Sequence, residues 1–594
     1  MCGIIGYIGK NDAIKKTIES LKTLEYRGYD SAGITYIENE KKVTIKEIGK
    51  IINLEQKLNY NIKSDLAIAH TRWATHGVPS ITNAHPHTVG AITIVHNGII
   101  ENYATLKEEM KQKGYTFQSD TDTEVAAAVI DNIYKEEKDI ITTLNKVENI
   151  LRGSYAIALI LDGDYNNLYA LRKDSPLIIG LGTGENYIAS DVPAILKYTN
   201  KYILLDNNDV ARLTRDKVTV YNNMKEVPKE IKTYTHKSEE IEKQGYSHYM
   251  LKEIHEEPTK IQNLIDKYIR NRKIAELPNF KNYSKIHIVA CGSAYHAGLV
   301  GKHLIELYGN LPVTCEIASE YRYKNNFIDE NTLVIAISQS GETADTLASI
   351  RLAKEHKAHT LGIINVKESS IAREVDNVIY VEAGPEIAVA TTKAYTLQVL
   401  ILSLIAYSLG IENNTLNKEE IEQAYLKLPS LIEKEINKDY KSLAKTIYKK
   451  EDIYFLGRKI DYAISMEGAL KLKEISYIHC EAYPAGELKH GSISLIEQDT
   501  PVITIVTDDT IKEKTVSNIK EVKARGAYNI IIANSILEND QDYADQEIQI
   551  DKIHPLLSPI LAIIPLQLLS FEIALLRGCD IDKPRNLAKS VTVE

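Results

Sequence analysis

The first 222 residues alternate short apolar runs with a few helical segments. Runs such as GIIGYIG, LAIAHTRW and SYAIALILDG have the length of strands and end at glycine or polar residues. Three stretches with helical spacing lie between such runs: Asn11 to Leu24, Ala104 to Gln112 and Glu124 to Tyr134. Because the strands cluster instead of alternating strictly with helices, this pattern predicts a layered α+β domain.

The pattern changes at about residue 284, where each apolar run is followed by a small or polar turn and then by a helix. KIHIVACGSAYHAG precedes LVIAISQSGETADT, with Ile286 and Leu333 47 positions apart. DIYFLGRKIDYAIS precedes PVITIVTDDTIKEK, with Ile453 and Pro501 48 positions apart. Continuous apolar runs suit buried parallel strands. We therefore predict two similarly built, doubly wound α/β domains, with chance similarity of two α/β stretches as the alternative.

A charged segment with a weak apolar pattern, Lys225 to Pro258, separates the two kinds of region, and we place a linker near residue 238. The predicted organisation is an α+β domain, a linker with the start of the second half, two α/β domains and a C-terminal tail: 1–238, 239–283, 284–412, 440–580 and 581–594.

Composition narrows the class of protein. With 71 basic and 81 acidic residues the net charge is −10, and 44% of residues are hydrophobic. This balance disfavours wholesale disorder and a nucleic-acid-binding surface. The five cysteines are too scattered for a disulfide framework or a zinc cluster, so a reducing, cytoplasmic setting is expected. The opening MCGIIGYIGKND has no pattern of a secretory signal.

One apolar stretch, residues 556–576, is long enough to cross a bilayer. It contains Pro559, Pro565, Gln567 and Glu572, which are poorly suited to a membrane span. We see no second comparable segment. A helix buried in a large core is expected here, and no membrane association.

Cys2 directly follows the initiator methionine and becomes the N-terminal residue if that methionine is removed. A free α-amine has a pKa of roughly 7.7 to 8.0, so part of it is neutral at physiological pH and can accept the thiol proton. An incidental cysteine at a frayed terminus is the alternative.

The neighbouring motifs favour catalysis. HTRWATHG (70–77), NAHPH (83–87), VHNGIIEN (95–102) and SDTDTEV (119–125) place polar residues at the ends of apolar runs, where scaffolds present functional groups. With CGIIGYIG and LEYRGYDSAG, they resemble the glutamine amidotransferase domain of the N-terminal nucleophile (Ntn) hydrolases. This resemblance covers roughly residues 1–238.

The resemblance implies that Cys2 attacks the side-chain amide of glutamine and forms a γ-glutamyl thioester. Asn97 and Gly98 would form the oxyanion hole, in which a missing donor typically costs about 3 kcal/mol. Arg72 would bind the α-carboxylate of glutamine and Asp122 its α-ammonium. Thr75, His76 and Gly77 would complete the pocket, and Trp73 would gate an ammonia channel. His85 and His87 are expected to be hydrogen-bonded structural histidines.

SQSGETADT (338–346) follows an apolar run and precedes a helix, so its hydroxyls and backbone N–H groups converge at a helix N-terminus. That arrangement suits an anion, but it lacks the lysine of a GxxxxGK[ST] loop, which disfavours a nucleoside triphosphate. A polar, well-capped turn is the alternative.

This half resembles the sugar isomerase (SIS) domains, in which such a loop holds the phosphate of a phosphosugar. The resemblance implies that Ser338, Gln339, Ser340 and Thr343 bind phosphate. It also places Ser293 and Val389 at the sugar. Where the family usually has CGTS, this chain has CGSA, so the hydroxyl expected at Ala294 is missing and weaker phosphosugar binding is expected at most.

Amination of a ketose requires a ring-opening acid/base, an amine that activates the carbonyl and a carboxylate that moves a proton. The resemblance assigns these roles to His490, Lys589 and Glu474. Lys471, three residues before Glu474, is expected to support the site. A solvated tail lysine is the alternative reading of Lys589.

Together the two halves resemble enzymes that transfer ammonia from glutamine to a phosphosugar through an internal channel. The implied reaction converts fructose 6-phosphate to glucosamine 6-phosphate and releases glutamate, the first step of amino-sugar synthesis. The implied partners are glutamine, fructose 6-phosphate and a second copy of the chain, because His490 acts across subunits in the family. No metal and no cofactor are implied.

Two alternatives remain open. A glutaminase could feed a different acceptor, but the acidic diphosphate loop or SGGxDS motif that this requires is absent from the sequence. A phosphosugar sensor without catalysis has Ala294 as its only support.

Overall fold

The computed structural model describes residues 2–10, 12–74, 76–234, 242–535 and 543–592. The chain divides into two compact units. The first comprises Met1–Glu239 with Ala588–Glu594, and the second comprises Glu240–Leu587.

The first unit is built mainly from antiparallel strands. Its strands are β1 (Gly3–Ile8), β2 (Ser31–Glu38), β3 (Lys41–Ile48), β4 (Leu66–Arg72), β5 (His87–Val89), β6 (Ile92–Ile100), β7 (Gly153–Leu161), β8 (Leu168–Lys173), β9 (Ile178–Leu181), β10 (Asn186–Ala189), β11 (Lys201–Leu204), β12 (Asp209–Leu213), β13 (Val218–Asn222), β14 (Lys225–Glu226) and β15 (Lys232–Thr233). Its helices are α1 (Ala13–Lys22), α2 (Ile51–Glu55), α3 (Tyr103–Gln112), α4 (Asp122–Glu137) and α5 (Ile140–Val147).

These strands form two sheets, ordered β15-β11-β9-β10-β1-β4-β2-β3 and β14-β13-β12-β8-β7-β6-β5. Side chains alternate along β1: Ile4 packs in the apolar layer between the sheets, whereas Ile5 packs toward α1 and α2. Along β6, Val95 joins the layer between the sheets, whereas Ile94 packs in the layer that contains α3, α4 and α5. The unit is therefore a four-layered α+β structure with helices outside two sheets, which confirms the predicted fold class.

The second unit contains strands β16 (Lys285–Ala290), β17 (Val313–Ile317), β18 (Thr332–Ser338), β19 (His359–Ile364), β20 (Asn377–Tyr380), β21 (Asp452–Gly457), β22 (His479–Pro484), β23 (Pro501–Val506), β24 (Tyr528–Ala533) and β25 (Gln546–Gln549). Its helices are α6 (Tyr249–Ile265), α7 (Gly292–Gly309), α8 (Ala318–Tyr321), α9 (Ala344–Glu355), α10 (Ser370–Glu374), α11 (Lys393–Glu412), α12 (Lys418–Ile436), α13 (Lys441–Ile447), α14 (Ile460–Ser476), α15 (Lys512–Lys523) and α16 (Ser558–Leu576).

Two parallel sheets of five strands each dominate this unit, ordered β17-β16-β18-β19-β20 and β22-β21-β23-β24-β25. Counted from the first strand of each copy, both orders read 2-1-3-4-5, so the predicted repeat of doubly wound domains is confirmed. In this topology the chain leaves the first and third strands in opposite directions, which opens a crevice at their carboxyl ends. The fold therefore offers one such crevice beyond β16 and β18 and another beyond β21 and β23.

One apolar core extends through both copies, with α7, α11, α14 and α16 contributing buried side chains to it. Two of these helices, α11 and α16, have the length and apolar composition of a membrane span, with mean hydropathies of 1.8 and 2.0. Most of each helix is buried inside the structure. The expectation that residues 556–576 have no comparable counterpart was wrong, because α11 passes the same test.

Candidate active sites

Cys2 lies immediately before β1, an interior strand of the larger sheet of the first unit. Gly3 pairs with Thr71 of β4, and this register places Cys2 beside Arg72. Cys2 is half-buried, and its Sγ accepts a hydrogen bond from the backbone N–H of Trp73 at 3.2 Å. Burial raises the pKa of the Cys2 thiol, whereas the Trp73 N–H and the charge of Arg72 act in the opposite direction. A base is therefore needed to form the thiolate.

Arg72 is almost completely buried at the end of β4. Its Nη2 donates to the carbonyl oxygens of His76 and Gly77, the latter at 3.1 Å. Its Nη1 has no hydrogen-bond partner among the described residues, although it is buried. A buried guanidinium with an unused donor beside the thiol is well placed to bind a carboxylate.

Asn97 and Gly98 lie near the end of β6. The Nδ2 of Asn97 is 2.9 Å from the carbonyl oxygen of Cys2, so its carboxamide lies next to the candidate nucleophile. Gly98 has a φ of +120°, and a Cβ there would lie 1.9 Å from the carbonyl oxygen of Ser154. Only glycine fits this position.

The other predicted residues of this site surround the same strand ends. Asp122 is the first residue of α4, and its Oδ2 accepts a hydrogen bond from the Ile100 N–H at 2.8 Å. His76 is half-buried with its ring 4.9 Å from that of Tyr103, and Trp73 is also half-buried. Thr75 lies outside the described residues.

His85 and His87 are both buried and hydrogen-bonded. The Nε2 of His85 lies 3.2 Å from Oγ1 of Thr123, and the Nε2 of His87 lies 3.1 Å from Oγ1 of Thr121. Burial lowers the pKa of both imidazoles well below the usual range. These contacts agree with the structural role expected for them.

Three further residues of this site had no role predicted from the sequence motifs. Asp30 accepts a hydrogen bond from the Ala74 N–H at 2.8 Å and so fixes the start of the loop after Trp73. Ser190 Oγ is 2.9 Å from Nδ2 of Asn97, and Nε2 of His70 is 3.0 Å from Oδ1 of Asn97. The position of His70 inside HTRWATHG was visible in the sequence, but the direction of its side chain was not.

The serine-rich loop of the second unit follows β18 and leads into α9. Oγ of Ser338 lies 3.0 Å from Oγ1 of Thr343 and accepts a hydrogen bond from the Gly341 N–H at 2.9 Å. Ser340 Oγ accepts one from the Glu342 N–H at 3.1 Å. Gln339 is half-buried in the same turn. The loop thus gathers hydroxyls and N–H groups at the start of a helix, as an anion site requires.

Ser293 lies in the first turn of α7, directly beyond the neighbouring strand β16. Cys291 Sγ lies 4.0 Å from Oγ1 of Thr346. This contact joins the start of α7 to the first turn of α9. Two helix N-termini therefore meet at the crevice beyond β16 and β18. Ala294 is half-buried and packs against the apolar core, and Val389 is held by a 3.0 Å hydrogen bond from its N–H to the carbonyl oxygen of Asp582.

Helix α14 carries a buried line of charged side chains. The Nζ of Lys471 is 2.7 Å from Oε2 of Glu474 and 3.4 Å from Oε1 of Glu467. The other oxygen of Glu467 lies 2.8 Å from Nδ1 of His296 on α7. Burial acts to lower the pKa of Lys471, but the carboxylates of Glu474 and Glu467 outweigh it and raise that pKa above its usual value. Lys471 is therefore a fixed cation, and His296 and Glu467 are additions to the predicted site.

The remaining two predicted residues are His490 and Lys589. His490 is exposed in a short 3₁₀ turn, Leu488–His490. Lys589 is half-buried and belongs to Ala588–Glu594, the segment that groups with the first unit.

The equivalent crevice of the second copy, beyond β21 and β23, is lined by different residue types. There the sequence after β23 is Thr507-Asp508-Asp509 instead of a serine-rich loop. Asp508 lies 3.4 Å from Nζ of Lys459 and accepts a hydrogen bond from the Thr510 N–H at 2.9 Å. Burial acts to raise the pKa of Asp508, but these partners hold it below its usual value, so the carboxylate is ionised. This crevice therefore has an Asp508–Lys459 ion pair where the other crevice has a serine-rich loop.

Comparison with known proteins agrees with the family resemblance predicted for each half of the chain. The glutamine amidotransferase domain family matches residues 70–197, and the SIS domain family matches residues 279–408 and 446–577. The solved C-terminal domain of glucosamine-fructose-6-phosphate aminotransferase from Francisella tularensis is 38% identical, with a TM-score of 0.53, and covers 58% of this chain and 99% of that one.

Relatives match over the full length. Proteins named glutamine–fructose-6-phosphate aminotransferase (isomerizing) from Clostridium tetani and from Thermus thermophilus are 50% and 45% identical over 612 and 607 residues, covering 100% of each chain. Neither the sensor alternative nor a different ammonia acceptor fits this combination. The chain therefore belongs to the family of isomerizing glutamine–fructose-6-phosphate aminotransferases.

Proposed function

We propose that this chain hydrolyses glutamine at Cys2 and uses the released ammonia to convert fructose 6-phosphate to glucosamine 6-phosphate. The observation that carries the proposal is that one chain holds a thiol beside a buried arginine with an unused donor and, in its other unit, a hydroxyl-lined anion loop. Glutamine suits the first site, and a phosphosugar suits the second.

At the first site Arg72 binds the α-carboxylate of glutamine and Asp122 its α-ammonium, while His76, Gly77 and Thr75 complete the pocket. After removal of Met1, the α-amine of Cys2 accepts the thiol proton, and the thiolate attacks the side-chain carbonyl. The tetrahedral oxyanion is stabilised by Asn97 Nδ2 and the Gly98 N–H. Collapse expels ammonia, whose nitrogen takes the proton now held by the α-ammonium of Cys2, and leaves a thioester, which water hydrolyses to glutamate.

At the second site Ser338, Gln339, Ser340 and Thr343 bind the sugar phosphate, with Ser293 and Val389 beside the sugar. His490 opens the ring, and Lys589 forms a Schiff base with the carbonyl at C2 and releases water. Ammonia from the first site then displaces the amine of Lys589 at C2, and Glu474 moves a proton from C1 to C2, which leaves the amine on C2 and an aldehyde at C1. Lys471, held between two carboxylates, orients Glu474 and supplies a fixed positive charge near the developing negative charge.

Two further features belong to this proposal. His490 is exposed on its own chain, which fits a role in the active site of a second copy, so self-association is required for isomerisation. Trp73 gates the passage of ammonia, which would be protonated and lost in free water. The enzyme works in the cytoplasm, without a membrane or nucleic-acid partner.

The direct test is to incubate the protein with glutamine and fructose 6-phosphate and to follow glutamate and glucosamine 6-phosphate by mass spectrometry. Formation of both products in equal amounts is expected. Glutamate release without any amino sugar, under conditions in which fructose 6-phosphate binds, would contradict the proposed acceptor.

A further inference from the structure

The first unit contains a cluster of buried histidines that the proposed mechanism does not use. It comprises His70, His85, His87 and His96, each at most 4% exposed. The rings of His70 and His85 stack at 4.1 Å, and those of His85 and His87 meet edge to face at 5.0 Å. One member, His70 on β4, is hydrogen-bonded to a residue of the proposed oxyanion hole.

We infer that His70 is a positioning residue for glutamine hydrolysis: its Nε2–H holds the carboxamide of Asn97 so that Nδ2 faces the reacting carbonyl. This inference rests on the proposed glutaminase function, and it assigns to His70 an action through Asn97 and not on the substrate itself.

The orientation of the Asn97 carboxamide follows from its surroundings. One of its two polar atoms lies 2.9 Å from the carbonyl oxygen of Cys2, which can only accept a hydrogen bond. That atom must be the nitrogen, Nδ2, which also lies 2.9 Å from Oγ of Ser190. The oxygen, Oδ1, therefore faces His70.

The same reasoning fixes the tautomer of His70. Its Nε2 lies 3.0 Å from two acceptors, Oδ1 of Asn97 and the carbonyl oxygen of His96. Nε2 must therefore carry the proton and share it between them. The other ring nitrogen, Nδ1, is buried and has no partner among the described residues. Burial lowers the pKa of His70 to about 3, so the ring is neutral at physiological pH.

A neutral imidazole in this position is a poor proton acceptor, because its only unprotonated nitrogen is buried and has no hydrogen-bond partner among the described residues. What it supplies is one oriented N–H. Without that N–H, the oxygen of Asn97 loses its donor, and only the contacts of Nδ2 with the Cys2 carbonyl oxygen and Ser190 still hold the carboxamide. A less firmly held Nδ2 would stabilise the oxyanion less well.

The test measures glutamate release by the full chain and, separately, alkylation of Cys2 by iodoacetamide. We expect His70→Leu to lower kcat for glutamine hydrolysis by roughly 100-fold, the usual effect of losing one oxyanion donor. KM should stay within about twofold, because the residues that bind glutamine are untouched. Alkylation should proceed at the wild-type rate, because iodoacetamide is attacked at a saturated carbon and no oxyanion develops.

Two amide variants keep the test informative if His70→Leu fails to fold. In His70→Gln the side-chain nitrogen can reach the position of Nε2. In His70→Asn the side chain is too short to place its nitrogen there. The His70→Gln variant should therefore keep much of the wild-type kcat, and the His70→Asn variant should not. His87→Leu is the matched control: His87 is equally buried, contacts Thr121 and not Asn97, and its removal should reduce stability without changing kcat.

Wild-type kcat in His70→Leu would overturn the inference, as would equal activities of the Gln and Asn variants. A parallel loss of alkylation would show that His70 supports the nucleophile instead of Asn97, and would also overturn it. Absence of glutamate release by the wild-type protein would refute the proposed function itself, a different result from any of these.

Discussion

Nδ1 of His296 lies 2.8 Å from Oε2 of Glu467, although the two residues belong to different SIS domains. The contact continues through Glu467 to Lys471 and from there to Glu474, so a residue three positions after Ser293 on α7 is linked to the proposed proton shuttle. All of these side chains except Glu474 are buried. In such surroundings an unpaired carboxylate is costly.

Replacing His296 by leucine should therefore destabilise the second unit. The substitution removes the hydrogen bond to Glu467 and leaves one carboxylate oxygen buried, at a cost of about 1–3 kcal/mol. Denaturant unfolding followed by circular dichroism measures the change. As a control, His356→Leu alters an exposed histidine at the end of α9 and should change stability by less than about 0.5 kcal/mol. Equal changes in stability for the two variants would mean that the His296–Glu467 contact contributes nothing to the stability of the second unit.

Replacing Gly98 by alanine should abolish glutamine hydrolysis. The new Cβ would lie 1.9 Å from the Ser154 carbonyl oxygen, and the φ of +120° is itself unfavourable for alanine. Glutamate release measures the effect. The control is Gly163→Ala, which has a φ of +80° but no atom within 4 Å of the added Cβ, and it should cost only about 1 kcal/mol of stability with activity retained. Activity in Gly98→Ala would show that this backbone can move freely.

Replacing Cys2 by alanine should eliminate glutamine-dependent synthesis but spare isomerisation of fructose 6-phosphate, because the thiol serves only the first site. Product analysis by mass spectrometry distinguishes the two reactions. The same instrument should find that active enzyme begins at Cys2. Full activity in protein that retains Met1 would exclude the α-amine of Cys2 as the base.

Replacing Lys589 by arginine keeps a positive charge but removes a usable nucleophile. Borohydride trapping of substrate on the protein should therefore disappear. Lys583→Arg changes a lysine of the same tail and should leave trapping intact. If trapping persists in Lys589→Arg, the Schiff base forms on another lysine, and peptide mapping of the trapped adduct would identify it.

Glu257, on α6, should make the second unit less stable as pH rises. Burial raises the pKa of Glu257 to about 8, with the negative charge of Glu386 acting in the same direction. Its pKa in the unfolded chain is about 4.3, so between these values the folded state holds a proton that the unfolded state has lost. Stability should then fall by up to about 1.4 kcal/mol per pH unit across that window.

Glu257→Gln carries no titrating group and should remove this slope, whereas Glu419→Gln at an exposed position of α12 should retain it. Calorimetric unfolding at pH 5, 6, 7 and 8 would measure the difference. Identical slopes in wild type and Glu257→Gln would mean that Glu257 is ionised in the folded protein.

The sequence predicts strands and turns well where a local pattern determines them. Ile286 and Leu333, recognised by their equivalent places in successive apolar runs, are register partners in the first parallel sheet. The predicted helix from Ala104 to Gln112 corresponds to α3, Tyr103–Gln112. Both features depend on side-chain periodicity, which short segments carry by themselves.

Contacts between segments that are distant in the sequence could not be predicted from local side-chain periodicity. His296 and Glu467 are 171 positions apart, and they meet only because α7 packs against α14. The same limit applies to His70, whose partner Asn97 is on another sheet. Helix α11 was overlooked for a different reason: its charged and polar ends interrupt the apolar run in the sequence, whereas the fold buries even Lys393.

The difference between the two crevices of the second unit also predicts how many phosphosugar molecules one chain binds. Duplication supplies two topologically equivalent crevices, yet one of them has the Asp508–Lys459 ion pair where the other, the proposed phosphosugar site, has the hydroxyls of Ser338 and Thr343. Calorimetric titration with fructose 6-phosphate should accordingly saturate at one molecule per chain. If the second copy binds no phosphosugar, its crevice residues can change without affecting catalysis, so long as α14 still presents Lys471 and Glu474 and the turn after β22 still presents His490.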